Sequence, residues 1–406
     1  MIKQIAQVAA SEEYWWEFIN YKMEKQHLSG QEERDLREFV EQKAYLPLSK
    51  DFAENRFPKQ LPKKKVVNKI GTKKKRIVYS FEGKEGIFLK FISFQFFQYD
   101  EMFSKNCYAF RRGFGVREAI LRLRSDERVE DGYCLKVDIS NYFNSIDTGK
   151  LVEMLSFLKE KDEPLYLMLK KILENKSIEE NGKVIEEEHG AMAGTSFSPF
   201  LANLYLKDVD AFFEKENVLY FRYSDDILLF AETKEELDFR KKQLYDMIHD
   251  LGLSVNPDKE NIYEPGDRIE FLGFSYCDGQ IDLSETTIKK MKDKIKRKAQ
   301  ALRRWQNKKG LEGEKAAIGF IRAMNQKFYG SRSGENNEDD FTWNRWFFPN
   351  LTTDAGLKEI DAYMQQYIRY AVTGRHYKGN YKIKYEKMKE WGYRSLVHEY
   401  YAWKKR

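Results

Sequence analysis

The stretch that decides the fold is VLYFRYSDDILLFA, residues 218–231. Two runs of apolar, β-branched and aromatic residues flank Ser224-Asp225-Asp226, the pattern of two strands joined by a tight hairpin. Such a hairpin sets adjacent carboxylates at its tip, with apolar side chains anchoring either flank. An Asp pair in a turn is ordinarily a solvated loop tip. Carried between strands this apolar, the two acids repel each other, and a divalent cation is what makes the pair tolerable. Oxygen-only ligands with no histidine nearby favour magnesium, or manganese, over zinc.

A third carboxylate comes from YCLKVDI, residues 133–139, where Asp138 closes the apolar strand Tyr133 to Val137 and is followed by Tyr142 and Phe143. Three aspartates at two strand ends fit a site for two ions. Ions about 3.5–4 Å apart activate an attacking hydroxyl and stabilise a leaving phosphate in line, the chemistry of polymerases and nucleases alike. The aspartates alone do not separate those two.

Outward from these strands, residues 1 to about 45 place Tyr14, Trp15, Phe18 and Tyr21 on one helical face, a helical N-terminal extension. FPKQLPKKKVVNKIGTKKKRIVYSF, residues 57–81, reads as a basic hairpin with a Gly-Thr turn. GIFLKFISFQFFQYDEMF is helical, and CYAFRRGFGVREAI from Cys107 is a glycine-punctuated loop entering a helix. A further strand region, RIEFLGFSYCDGQIDL, covers 268–283, and after Ser284 the pattern is helical to the end. Strands separated by helices make an α+β fold.

Taken in order, these segments resemble the reverse transcriptase family across residues 61–275. LKVDISNYFNSI is similar to the first palm motif, and YSDD to the Tyr-x-Asp-Asp hairpin. The resemblance implies that Asp138, Asp225 and Asp226 are catalytic and that, with Ile139, they bind the metal. It places Phe143 under the incoming sugar as a gate against ribonucleotides, leaves Tyr142 as packing, and sets Tyr223 near the primer end. LGLSVNPDK puts Lys259 near the triphosphate, and EFLGF resembles the primer grip through Phe271, Leu272 and Gly273. KKKRIVYSF puts Arg76 on the incoming nucleotide, and YAFRRG puts Arg111 on the primer–template. GAMAGTSFSPFLANLYL retains Gly194, Ser198 and Pro199 of the family's Pro-Gln-Gly-x-x-x-Ser-Pro segment, with Gly194 beside the nucleotide. Met192 and Ala193 replace Pro and Gln, which bears on fidelity and template choice.

The fold so implied is a right-hand polymerase: 1–60 helical extension, 61–130 fingers, 131–278 palm with a finger insertion, 279–406 helical thumb and C-terminal extension. The activity is RNA-directed DNA synthesis from dNTPs on an RNA template, using two Mg2+ ions or Mn2+. Compact length and the absence of a ribonuclease H pattern resemble stand-alone bacterial enzymes linked to phage defence, whose templates are structured noncoding RNAs. Ser198-Pro199 stands where diversity-generating relatives carry Ser-Gln, and Val372-Thr373-Gly374 lies too far along to be the retron signature. The rival class is an intron-type, maturase-like RNA-binding cofactor. An RNA polymerase on the same palm is disfavoured by Phe143.

Composition agrees with a polyanionic partner. The net charge is +6, with Lys and Arg gathered in runs. Lys63, Lys64, Lys65, Lys73, Lys74 and Lys75 are dense enough that bound phosphate would relieve their repulsion. The segment 287–305 stacks Ile288, Met291, Ile295, Ala299 and Leu302 on one stripe with cations around the remainder. The aromatic C-terminal segment 391–405 reads as core packing. Cys107, Cys134 and Cys277 lack metal-ligand spacing, and the five histidines are scattered. No apolar run is long enough to span a bilayer, so a cytoplasmic protein with no membrane partner is expected. A partner protein or a homo-oligomer is left open.

Overall fold

A computed structural model describes residues 3–25, 28, 30–68, 75–310, 312–330 and 342–405. Among the described residues the strands are β1 (Lys63–Asn68), β2 (Lys75–Ser80), β3 (Tyr133–Asp138), β4 (Ser177–Glu180), β5 (Lys183–Glu186), β6 (Tyr220–Tyr223), β7 (Asp226–Ala231), β8 (Asn261–Tyr263), β9 (Ile269–Phe271), β10 (Phe274–Cys277) and β11 (Gln280–Leu283). Helices connect them, giving the expected α+β fold. The chain divides into two compact units, residues 1–122 with 126–265, and residues 123–125 with 266–406. The expected palm, 131–278, runs across that division. No helix among the described residues is long and apolar enough to cross a membrane.

The first unit opens with four helices, Ile5–Ala9, Glu12–Lys25, Gly30–Glu41 and Tyr45–Ala53. Trp15 and Phe18 are fully buried, and Trp15 stacks on Phe91 at 4.0 Å between ring centroids. The indole N–H donates to the Ala9 carbonyl at 2.9 Å, so the ring is buried without an orphaned donor.

A four-stranded sheet follows in the order β2-β1-β4-β5, and it corrects the reading of the first lysine run. Lys63 and Lys65 bond Glu82 at 2.9 and 2.6 Å, and Lys64 pairs with Glu187 and, at 3.6 Å, Glu180. Hydrogen bonds from Lys65 and Lys63 hold the Glu82 carboxyl down to about 2. The protein's own carboxylates, far away in sequence, relieve the repulsion assigned to bound phosphate. Lys73, Lys74 and the Gly-Thr turn lie outside the described residues, and Lys75 begins β2.

The second sheet, β6-β7-β3-β8, is antiparallel throughout. The helix Lys234–Asp250 packs across β3 and β7. Ile227 through Phe230 are all buried, as expected of a central strand covered on both faces.

In the second unit, the sheet β11-β10-β9 precedes three mutually packed helices, Glu285–Lys309, Gly313–Tyr329 and Ala355–Thr373. Ser284 caps the first, accepting from the Thr287 N–H at 3.1 Å. Ile288, Met291, Ile295 and Ala299 form its buried stripe as expected, whereas Leu302 is half-buried and the stripe continues to Gln306. Leu396 and Tyr400 of the C-terminal helix are core residues.

Candidate active site

The loop between β6 and β7 has two residues, Ser224 and Asp225, closed by the pair Tyr223 and Asp226. Two-residue hairpins match strand twist only with primed turns, which place positive φ at the first central position. Ser224 takes that conformation, φ 62°. Tyr223 and both aspartates are thereby set at the sheet's end, half-buried.

β3 lies beside β7 in a register that puts Asp138 directly opposite Asp226. The Ile139 N–H donates to the Asp225 carbonyl at 3.1 Å, and Ile139 bridges Val255 on its other side. Three carboxylates therefore converge at adjoining strand ends, with the Ile139 main chain among them. Burial, then the charge of Asp138, pushes the Asp225 carboxyl above its usual range. Asp226 is also raised, by burial first, with Lys136 opposing and Asp225 adding. Lys259 answers part of this charge, its Nζ 2.5 Å from Asp138 Oδ1. As the side chains stand, no three metal-ligating groups among the described residues are drawn into a cage. The donor set is carboxylate and carbonyl oxygen only, which suits magnesium.

The Phe143 ring meets that of Phe110 edge-on at 6.3 Å. Phe110 in turn lies 6.4 Å from Tyr223, half exposed at φ 61°. Nothing in the sequence singles out Phe110, although it lies in the YAFRRG loop next to Arg111. Tyr142 is buried and donates to the Ala202 carbonyl at 2.5 Å, a packing role.

Gly194 has φ +98°, and a Cβ there would stand 2.9 Å from the Val78 Cβ. The Ala193 carbonyl accepts from the Tyr79 N–H at 2.7 Å, so this segment is fastened edge-on to β2. Arg76 stands exposed on the same strand. Arg111 is turned inward: its Nη1 donates to the Ser104 and Cys107 carbonyls at 2.6 and 2.9 Å, and its Nη2 to the Asp100 carbonyl at 3.0 Å. That guanidinium shapes the loop presenting Phe110.

Beneath the turn lies a group that the sequence reading missed. Arg222 and Asp210 are fully buried and paired, Nε to Oδ1 at 2.7 Å and Nη2 to Oδ2 at 2.5 Å. Arg222 Nη1 reaches Asn203 Oδ1 and the Ser224 carbonyl, both at 3.2 Å.

In the second unit, Phe271 pairs with Phe274 around the two-residue turn Leu272-Gly273, both at positive φ, 51° and 90°. The Gly273 carbonyl accepts from the Ser284 N–H at 3.0 Å and from Thr287 Oγ1 at 2.8 Å, fixing the turn to its following helix. On that helix Lys294 is pushed below its usual pKa by burial, then by Lys327, Arg297 and Lys290, which marks a crowded cationic face.

Residues 61–276, more than half of the chain, match the family model described as reverse transcriptase (RNA-dependent DNA polymerase). Among curated proteins nothing matches. A similar solved structure is apo telomerase from Candida tropicalis, truncated from its C-terminal domain, at 14% identity and a TM-score of 0.41. The match covers 55% of each chain, so this chain spans about half the length of that structure.

Proposed function

Since this chain belongs to the reverse transcriptase family, an RNA-directed DNA polymerase of right-hand fold, we propose that Asp138, Ile139, Asp225 and Asp226 form its magnesium site. The observation that carries this is the register setting Asp138 opposite Asp226 while the Ile139 N–H clasps the Asp225 carbonyl. When bound, two magnesium ions supply charge stabilisation for an attacking hydroxyl and a leaving phosphate.

The primer 3′-hydroxyl oxygen attacks the α-phosphorus of a dNTP, a new P–O bond forms, and the bond to pyrophosphate breaks. Lys259, already beside Asp138, turns its ammonium to the triphosphate. Phe143 packs against the sugar and excludes a 2′-hydroxyl. Gly194 lets the nucleotide approach the main chain closely, Arg76 meets its phosphates, and Tyr223 lies at the primer end. We assign contact with the primer strand to the turn Phe271-Leu272-Gly273. Arg111 acts on the template by holding the Phe110 loop.

The template is a structured noncoding RNA and the setting cytoplasmic phage defence. A second reading, an RNA-binding cofactor with secondary catalysis, draws on the cationic face around Lys290, Lys294, Arg297 and Lys327.

Protein purified with its co-expressed nucleic acid, given magnesium and labelled dNTPs, tests both. Dideoxynucleotide-sensitive DNA that is lost in Asp225→Asn is expected, and sequencing the bound RNA identifies the template. RNA retention with no synthesis from a supplied primer would favour the cofactor.

A further inference from the structure

Arg222 is bonded on every side. Its N–H donates to the Asn106 carbonyl at 2.8 Å and its carbonyl accepts from the Tyr108 N–H at 2.9 Å, so the loop 106–108 runs along the outer edge of β6. Its guanidinium holds Asp210 through two atoms, and its Nη2 also lies 3.1 Å from Cys107 Sγ. Tyr220 adds a third hydrogen bond to Asp210 at 3.1 Å. Nη1, the remaining guanidinium nitrogen, reaches the Ser224 carbonyl and Asn203 Oδ1. Asn203 in turn donates to the Ala109 carbonyl at 2.8 Å, next to Phe110.

Two features make this more than a buried ion pair. The bond to Ser224 falls on the one residue of the catalytic turn with positive φ, a conformation that non-glycine residues hold only when their surroundings over-determine it. The branch through Asn203 fixes the loop carrying Phe110, whose ring lies between Phe143 and Tyr223. Resting on the proposed metal site, we infer that Arg222 is a positioning residue. Anchored by Asp210, its Nη1 fixes the Ser224 carbonyl and so sets Asp225 and Asp226 for metal, while Asn203 sets Phe110 against the same site.

The geometry needs a planar fork. A lysine ammonium is a point charge that serves Asp210 and leaves Ser224 unheld. Arg222→Lys is therefore expected to weaken Mn2+ binding, read from the electron paramagnetic resonance of free Mn2+, roughly ten- to a hundredfold, the range for lost support of metal ligands. In single-nucleotide incorporation the magnesium requirement rises and kcat falls, with KM for dNTP within about twofold of the parent, since the nucleotide contacts themselves are intact.

The double variant Asp210→Leu/Arg222→Met separates positioning from stability. Apolar replacement of a buried pair is often neutral or stabilising, so this protein is expected to fold and still bind Mn2+ weakly. Parental Mn2+ binding and kcat in either folded variant would overturn the inference, and so would failure of both to fold, which assigns the pair to stability alone. Wild-type protein that binds Mn2+ but joins no nucleotide defeats the proposed function and leaves this test readable.

Discussion

Replacing Asp225 by Asn should abolish synthesis and, in the absence of divalent metal, make the protein more stable. The Asp225 carboxyl is raised by burial and by the Asp138 charge, with Lys259 opposing. A carboxyl whose folded pKa exceeds its unfolded value is a burden to the fold once ionised. The penalty is absent below the unfolded pKa and complete above the folded one, so it grows as the pH rises between them. At an effective dielectric of about 20, neighbouring like charges repel by roughly 2–4 kcal/mol. Lys259 cancels part of this, and the Asn amide can still accept a hydrogen bond, which leaves a net gain of about 1 kcal/mol. For a unit of this size that is ~2–4 °C in Tm.

Scanning calorimetry in EDTA at pH 7.5 should show the variant melting above the parent. The gap should narrow as the pH falls towards the ordinary carboxylate range, where the parent takes up its protons. With magnesium at ten times its Kd the parent gains about 1.4 kcal/mol and the variant gains less, so the order inverts. A variant that melts at or below the parent in EDTA would show that mutual repulsion is not what distinguishes these carboxyls.

Phe143→Ala should lower discrimination against ribonucleotides roughly tenfold or more in competitive primer extension; an unchanged ratio removes Phe143 from the gate. Gly194→Ala forces a Cβ to within 3.1 Å of the Tyr79 carbonyl at φ +98°, a cost of about 1–3 kcal/mol that a melting curve will register. Lys64→Met should cost about 1 kcal/mol by leaving Glu187 and Glu180 uncompensated without weakening RNA binding; a large loss of RNA affinity would restore the phosphate role. Replacing Lys290, Lys294 and Arg297 together by Gln should reduce the slope of log affinity against log salt by about 2 for single-stranded RNA, and an unaltered slope would make that face a solvated one.

Much of the palm was legible because its signals are local. Apolar runs bracketing Ser224-Asp225-Asp226 specify a hairpin, and an aspartate ending an apolar strand identifies Asp138. What escaped depends on partners distant in sequence. Lys64 reads as one of a row of repelling cations until β1 is laid beside β4 and β5, where Glu180 and Glu187 meet it across more than a hundred residues. Arg222 reads as one cation between aromatic residues, because its partner Asp210 belongs to a helix that only the tertiary fold brings beneath the strand. Arg111, a primer–template contact by resemblance, is occupied by the Asp100, Ser104 and Cys107 carbonyls, and the exposed group beside it is Phe110.

Backbone conformation explains the remainder. Ser224, Phe110, Met192, Asn141 and Leu272 all hold positive φ, and three of them, Ser224, Asn141 and Met192, lie in the segments bearing Asp225, Phe143 and Gly194. Turn rules favour glycine or asparagine at such φ values, so serine, phenylalanine and methionine there give no sequence signal. Each is held by tertiary bonds or burial: Ser224 by Arg222, Phe110 between Phe143 and Tyr223, and Met192 by complete burial. Strain of this kind persists only where the surroundings over-determine it. The carboxylates repel, the turn carrying two of them holds a positive φ, and the Arg222–Asp210 pair beneath bonds that turn.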